Sequence, residues 1–184
     1  MSIEAFDAAF RELVLIEGGY VNNPNDSGKQ TKYGITEAVA REAGYQGLIE
    51  DLTIEQARLI YRRRYWERLR LDEVTLLSGP VAIELFDTAV NCGQGVAGEF
   101  LQRSLNALNR MGADYQDVKV DGDIGAKTLD ALKAYIYRRG AKGERILLRA
   151  LNSLQGARYI ELTERREKDE TFLSGWLFNR VQIA

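Results

Sequence analysis

Apolar residues recur along most of the chain at the three- and four-residue spacing of amphipathic helices, whereas alternation of period two is scarce. In the N-terminal segment Phe6, Phe10 and Leu13 follow this spacing, and the Gly18-Gly19 pair ends it. The pattern predicts a mainly α fold. Residues 20–36 are the exception, because they are rich in Gly, Asn and Thr and predict a small irregular or hairpin region.

The same spacing predicts the later helices. Residues 53–56 have the form of a capping box and predict a helix that continues to about Leu69. Pro80 suits the first turn of a buried central helix, which Gly93 and Gly95 would close. Further helices are predicted over residues 96–108, from about residue 126, and over residues 144–166.

Two groups of residues, the polar residues of the central helix and the aromatic residues near the C-terminus, each allow two interpretations. Glu84, Asp87 and Asn91 share one side of the central helix. They would either hydrogen-bond to neighbouring helices or form the wall of a wet cleft, with Asn91 the best placed to face a ligand. Near the C-terminus we expect the aromatic segment 172–178 to pack in the core rather than to stack on sugars.

Glu17 is the first candidate for chemistry, because it extends the apolar face of the first helix by one more turn. Apolar neighbours would desolvate its carboxyl, and the negative end of the helix dipole would repel its charge. Both effects predict a raised pKa for Glu17. A carboxyl that keeps its proton near neutral pH is what a general acid needs; the alternative is an ordinary surface Glu at a helix end.

Asp26 is the second candidate, nine positions later in the polar run 22–28. In such a loop we expect its carboxyl to be solvated and ionised. One carboxyl in apolar surroundings and one in wet surroundings form the pattern of a glycosidase acid/base pair.

The amino-acid composition argues against several other classes of enzyme. The 184 residues suffice for one domain with a sizeable core, and they include no His. The absence of His argues against zinc peptidases and against Ser-His or Cys-His nucleophile pairs. Cys92 is the single cysteine and predicts a buried structural thiol. We expect neither a metal nor an organic cofactor.

Net charge and hydropathy argue against two classes of binding partner, nucleic acids and membranes. The net charge of −2 argues against a nucleic-acid binder, and no apolar run approaches the ~20 residues of a membrane span. The N-terminal residues carry charges and no apolar signal-peptide stretch, so we expect accumulation in the cytoplasm. Five arginines crowd residues 62–70. They would form either a solvated face or a contact with an anionic polymer.

These motifs resemble one known family, the glycoside hydrolase family 108 N-acetylmuramidases. The resemblance rests first on Glu17-Gly18-Gly19-Tyr20, Asp26, Gly28, Thr31 and Tyr33-Gly34-Ile35-Thr36, and then on Tyr61, Tyr65-Trp66 and residues 86–93. Residues 120–129 are similar to the predicted peptidoglycan domain that follows in this family, and residues 172–176 fit its C-terminal end. A more distant resemblance is to phage T4-type lysozymes. Their Glu, Asp and Thr trio is similar to Glu17, Asp26 and Thr31, although the Asp-to-Thr interval is one residue shorter here.

The resemblance implies a single lysozyme-like unit over residues 1–184, with a catalytic part at 1–95 and a helical part resembling a peptidoglycan-binding domain at 96–184. It implies hydrolysis of the β-1,4 bond between N-acetylmuramic acid and N-acetylglucosamine. Glu17 would be the general acid, Asp26 would stabilise the transition state or activate water, and Thr31 would place that water. The substrate-binding candidates are Tyr33, Thr36, Asp87 and Asn91.

The expected setting is a phage endolysin that acts as a monomer on peptidoglycan glycan strands, without stable membrane insertion. A holin or a secretion system would release it from the host cytoplasm to the wall. Two alternatives stay open at the level of sequence. A lytic transglycosylase needs one acid and no positioned water, and Asp26 argues against it. A non-catalytic wall-binding or secretion-accessory protein has no need of Glu17.

Overall fold

The computed structural model describes residues 2–22 and 30–181, and its described side chains are those of residues 4–15, 18, 19 and 30–181. Helices dominate these ranges, so the predicted mainly α fold is confirmed. The α-helices are α1 (Ser2–Glu17), α2 (Glu37–Glu42), α3 (Ile54–Tyr61), α4 (Leu71–Leu77), α5 (Gly79–Cys92), α6 (Gln94–Leu108), α7 (Ala126–Arg165) and α8 (Glu170–Arg180). The strands are β1 (Tyr20–Asn22), β2 (Gln30–Lys32) and β3 (Ile35–Thr36).

The strands form a small antiparallel sheet in the order β1-β2-β3, within the segment predicted as a hairpin region. Tyr20 lies opposite Lys32, and Thr31 lies opposite both Val21 and Thr36. A two-residue turn of Tyr33 and Gly34 joins β2 to β3, and both residues have positive φ, 53° and 74°. Left-handed backbone at both positions matches the twist of a tight hairpin.

Helix α5 is the centre of the fold, as its apolar circumference predicts. The Ser78 hydroxyl accepts a hydrogen bond from the Val81 amide, and Pro80 occupies the first turn. Helices α1, α4, α6 and α7 pack around α5. Gly93 ends the helix with φ of 101°, a conformation that only glycine adopts without strain. Gly95 does not help to close it, because α6 already begins at Gln94 and contains Gly95.

The helix predicted over residues 53–69 changes its winding part-way. Thr53 and Gln56 form the predicted capping box, with each side chain bonded to the other residue's amide. The α-helical hydrogen bonding stops at Tyr61, and Arg62–Glu67 is π-helical. The Gln94 side chain donates to the Arg64 carbonyl of this segment at 2.7 Å.

The two helices predicted after residue 126 are both present and are joined end to end at a kink. Helix α7 runs over Ala126–Arg165 and is broken by a non-helical residue, Gly140. In the first half, the Thr128 hydroxyl accepts a hydrogen bond from Gln102 of α6 at 3.4 Å. In the second half, Tyr159 packs against Trp176 of α8.

An aromatic cluster holds the N-terminal half together. The Phe6 ring lies 5.3 Å from Trp66 and 5.9 Å from Phe86. Tyr61 completes the cluster, 5.8 Å from Phe10 and 6.1 Å from Phe86. The cluster therefore joins α1, α3 with its π-helical extension, and α5.

The C-terminal aromatics differ from the expectation of core packing. Trp176 packs against buried Tyr159 at 5.3 Å, but Phe172 and Phe178 are 57% and 88% exposed. The core prediction is wrong for these two residues. The 11-residue α8 packs on α7, and its opposite side faces solvent.

A close backbone approach fixes the loop that precedes α7 against α6. Side-chain Nε2 of Gln102 donates to Asp121, and its Oε1 accepts from the Gly122 amide at 2.8 Å. A Cβ atom on Gly98 would lie 2.0 Å from the Gly122 carbonyl oxygen. Only a residue without a side chain allows this contact.

We therefore expect Gly98→Ala to destabilise the fold by roughly 1–3 kcal/mol, the usual cost of overpacking. Gly95→Ala is the matched control on the same helix, because a Cβ there meets nothing within 4 Å. Thermal melting of both variants checks the prediction. Equal melting temperatures for Gly98→Ala and the wild type would show that the loop does not pack as described.

Candidate active site

Glu17 is the last residue of α1, and the first strand of the sheet begins three residues later. Phe10 and Leu13 are buried on the core side of α1, and Glu17 follows one turn after Leu13 as the last helical residue. Gly18, with φ of 74°, closes the helix by donating its amide to the Val14 carbonyl at 3.0 Å. The last turn of α1 holds no basic residue that would offset the helix dipole. The Glu17 side chain lies outside the described residues, so its protonation stays a prediction.

Asp26 also lies outside the described residues, but the strands on either side of it are placed. Asn22 and Gln30 are cross-strand partners, so the segment 23–29 leaves and re-enters the sheet at one point. Thr31 comes directly after that point and is partly buried. Its partner Val21 is four residues after Glu17, which brings the backbone of Thr31 to the segment that follows α1.

The structure gives Tyr33 and Thr36 structural partners that the sequence did not reveal. The Tyr33 carbonyl accepts a hydrogen bond from the Tyr61 hydroxyl at 2.9 Å. The Thr36 hydroxyl accepts from the Val39 amide at 3.2 Å and caps the N-terminus of α2. Their contact with substrate stays a prediction.

Tyr61, which the sequence indicates only as part of a family motif, positions the turn between β2 and β3. Its side chain is 1% exposed, its ring lies in the aromatic cluster, and its hydroxyl holds the turn between β2 and β3. It thereby fixes the strand that carries Thr31 relative to α1 and α5. The two bonded residues are 28 positions apart, and no local pattern connects them.

Asp87 and Asn91 lie together on α5. The Asn91 amide donates to the Asp87 carbonyl at 2.8 Å and to its carboxylate at 3.2 Å. Asp87 also accepts from Arg180 at 2.6 Å and from Gln155 at 2.7 Å. The Asp87 carboxylate therefore joins α5 to α7 and α8. Internal hydrogen bonding, one of the two interpretations of these polar residues, accounts for what the described residues show, and a role in substrate binding stays a prediction.

Among the described residues, neither Cys92 nor a cluster of acidic side chains provides a further reactive site. Burial raises the pKa of the Cys92 thiol to about 11, so it stays protonated and is a poor nucleophile. Within residues 2–22 and 30–181, no group of three or more acidic or cysteine side chains could hold a metal ion. In the same ranges, no helix has the length and apolar character needed to cross a membrane.

Comparison with known families decides the assignment. Residues 10–93 match the family model described as glycosyl hydrolase 108, and residues 96–181 match the predicted peptidoglycan domain. Residues 10–93 therefore belong to glycosyl hydrolase family 108. The protein is a glycoside hydrolase that acts on peptidoglycan as a muramidase, with the lysozyme-like α fold that the sequence predicted.

A solved structure is similar in fold over nearly the whole length of the chain. The structure of SagA from Brucella abortus is similar to 94% of this chain, which spans 87% of that one, at 29% identity and a TM-score of 0.70. Among curated proteins, none matches the sequence.

The burial of Glu84 predicts that the stability of this muramidase depends on pH. Burial, together with the nearby charge of Asp87, raises the pKa of Glu84 to about 8, and a hydrogen bond with Asn152 opposes the shift. Its Oε1 atom has no hydrogen-bond partner among the described residues. The carboxyl is therefore protonated at neutral pH in the folded enzyme.

The direction of the pH effect follows from linkage. In the unfolded chain Glu84 ionises near its ordinary pKa of 4.5, whereas the folded enzyme holds the proton up to about pH 8. The contribution of Glu84 to the free energy of unfolding is complete below the ordinary pKa of 4.5. It falls as the pH rises through this window, by at most about 1.4 kcal/mol per pH unit, because only the folded state still binds the proton.

We expect Glu84→Gln to remove this dependence, because a neutral amide takes the place of the protonated carboxyl. The variant should melt above the wild type at pH 8 to 9 and should lose less stability between pH 5 and 8. Thermal melting across this range checks the prediction. Glu99→Gln, at an exposed position on α6, is the control and should follow the wild-type curve. Parallel curves for Glu84→Gln and the wild type would contradict a protonated Glu84.

Proposed function

We propose that this muramidase cleaves the glycan with Glu17 as general acid and Asp26 as the second carboxyl, aided by Thr31. The observation that carries the proposal is the placement of Glu17 at the end of α1, immediately before the sheet. That sheet carries Thr31 and brackets the segment containing Asp26. All three residues therefore belong to one short stretch of chain around the start of β1.

The proposed chemistry follows from these roles. Glu17 donates its proton to the oxygen of the β-1,4 bond as that bond breaks, and positive charge develops on the N-acetylmuramic acid ring. The Asp26 carboxylate stabilises this charge or takes a proton from the attacking water. Thr31, whose hydroxyl can donate and accept, orients that water. A water held between carboxylate and sugar favours inversion at the anomeric carbon.

The proposed substrate contacts extend along the sheet and α5. Tyr33 lies in the turn that joins β2 to β3, Thr36 lies in β3 opposite Thr31, and Asn91 lies in the last turn of α5. Asp87 holds the Asn91 amide in place through its carboxylate. We propose that Tyr33, Thr36 and Asn91 contact the glycan and that Asp87 sets the orientation of Asn91.

The proposed biological role is that of a bacteriolytic phage endolysin. It would act as a monomer, collect in the host cytoplasm, and reach the wall when a holin or a secretion system releases it. The predicted peptidoglycan domain at residues 96–181 supports a wall polymer as its target.

We expect Glu17→Gln to lower the rate of peptidoglycan lysis by roughly 10²–10⁴-fold, the usual contribution of a general acid. The substitution keeps the shape of the side chain but removes the transferable proton. Turbidity loss on purified peptidoglycan, together with circular dichroism, checks activity and fold on one preparation. Glu12→Gln, at an exposed position of the same helix, is the control and should keep its activity.

Mass analysis of the wild-type products belongs in the same assay. Hydrolysis leaves reducing N-acetylmuramic acid ends, whereas a lytic transglycosylase leaves 1,6-anhydro ends. Anhydro ends as the main product would contradict the water-handling roles of Asp26 and Thr31. A folded Glu17→Gln variant with nearly normal lysis would remove Glu17 from the mechanism.

We expect Asp26→Asn to harm lysis much more than stability. Substitutions in surface loops usually change the free energy of unfolding by about 0.5 kcal/mol or less, whereas loss of the charge removes stabilisation of the developing cation. Initial rates and melting temperatures of the same preparation separate the two effects. A variant that melts lower but cleaves at the normal rate would make Asp26 a structural loop residue.

A further inference from the structure

A cleft of about 430 Å³ lies between the turn that follows α2 and the outer face of α3. One side is the turn that follows α2, with Glu42 and Tyr45. The other side is the outer face of α3 and the beginning of the π-helical segment, with Leu59, Arg63 and Arg64. Among the described residues, the proposed glycan contacts Tyr33, Thr36 and Asn91 do not line this cleft.

The turn side of the cleft is held in one conformation by its own hydrogen bonds. The Arg41 guanidinium donates to the Tyr45 carbonyl at 2.8 Å and to the Gly47 carbonyl at 2.7 Å. The Tyr45 hydroxyl donates to the Leu48 carbonyl at 2.9 Å. A ligand entering the cleft would therefore meet a preformed wall and would bind without the cost of ordering it.

The charges at the cleft leave one cation available. Arg64 forms an ion pair with Glu42 at 2.6 Å, so these two charges offset each other. Arg63 is exposed, and within residues 2–22 and 30–181 no side chain forms an ion pair or hydrogen bond with it. The cleft therefore has a net positive charge at a guanidinium, the group best suited to bind a carboxylate through two parallel hydrogen bonds.

An apolar surface adjoins this cation. Leu59 is 49% exposed and precedes Arg63 by four residues, so the two side chains lie next to each other on one helical face. A matching ligand carries a carboxylate beside a short alkyl group. The peptide branches of peptidoglycan have this composition, since they combine small apolar residues with free carboxylates.

We propose that this cleft binds a carboxylate of the peptide branch attached to the glycan, with Arg63 as its anion ligand and Leu59 contacting the adjacent alkyl group. The inference rests on the proposed function, because it adds a peptide subsite to the muramidase. It makes the enzyme selective for strands that still carry their peptides. It also assigns a ligand to one of the five arginines at residues 62–70.

Binding of the peptide alone tests the subsite independently of catalysis. The probe is the free tripeptide L-alanyl-γ-D-glutamyl-diaminopimelate, titrated into the 15N-labelled enzyme and followed by amide chemical shifts. We expect saturable shifts in the turn at residues 42–45 and around Arg63, which disappear in Arg63→Gln. Arg68→Gln is the matched control, because Arg68 is another exposed arginine of the same run without an ion pair among the described residues. No shifts in the wild type, or equal shifts in Arg63→Gln, would overturn the proposal.

Activity on two substrates then separates the subsite from the catalytic assignment. On intact peptidoglycan we expect Arg63→Gln to raise KM about tenfold with kcat unchanged, and added salt should reduce the difference from the wild type. On glycan strands stripped of peptides by an amidase, the wild type and the variant should have the same KM. A deficit of the variant that persists on stripped strands would place Arg63 against sugar or in folding and would refute the peptide subsite. If the wild type cleaves neither substrate, the proposed function fails, while the tripeptide titration still decides the subsite.

Discussion

The hydrogen bond from the Tyr61 hydroxyl to the Tyr33 carbonyl is the contact on which the arrangement of the active site depends. The Tyr61 ring is fixed in the aromatic cluster between Phe10 of α1 and Phe86 of α5. A sheet of strands only two or three residues long has too little apolar area to be stable alone. Its position is therefore set by the rest of the fold: Tyr61 holds the turn after the strand that carries Thr31, Lys32 of that strand donates to the Glu50 carbonyl, and Ile35 of β3 is buried in the core.

A second constraint joins the two matched regions of the chain. Asp87 in the family 108 region bonds to Gln155 and Arg180, both in the predicted peptidoglycan domain. Arg180 is 5% exposed and Asp87 is 25% exposed, so loss of one partner would leave a largely desolvated charge. Protonated Glu84 lies beside this pair, and its neutrality avoids a second negative charge in the same place. The helical region thus supports the catalytic region through specific polar contacts, in addition to apolar packing.

The π-helical segment contributes to the core on one side and to a cleft at the surface on the other. Inside, Trp66 is fully buried, and its indole donates to Asp72 at 2.9 Å. Outside, Arg63 and Arg64 line the cleft proposed to bind the peptide branch. One stretch of six residues therefore contributes to the core and to a binding surface, and the Gln94 bond to the Arg64 carbonyl stabilises its unusual winding.

The sequence by itself determined the elements and the chemistry of the first helix. Periodicity of apolar residues and local capping motifs act over a few positions, so they predicted α1, the capping box at Thr53 and the buried α5, and they indicated Glu17 as an acid at a helix end. The resemblance to family 108 depended on short motifs of the same kind. Asp26 and the side chain of Glu17 lie outside the described residues, and the catalytic roles therefore stay predictions from sequence.

Only the tertiary structure decided which distant residues meet. Tyr61 and Tyr33 are separated by 28 positions, and Asp87 and Arg180 by 93, so no local pattern could pair them. The exposure of Phe172 and Phe178 could not be predicted from the sequence either, because an aromatic residue is buried only if another element covers its face of the helix. The sequence likewise did not show that Gln94, from a different helix, bonds to the Arg64 carbonyl within the π-helical segment. Hydrophobic spacing specifies which face of an element is apolar, but the partner of that face is chosen by packing across the whole chain.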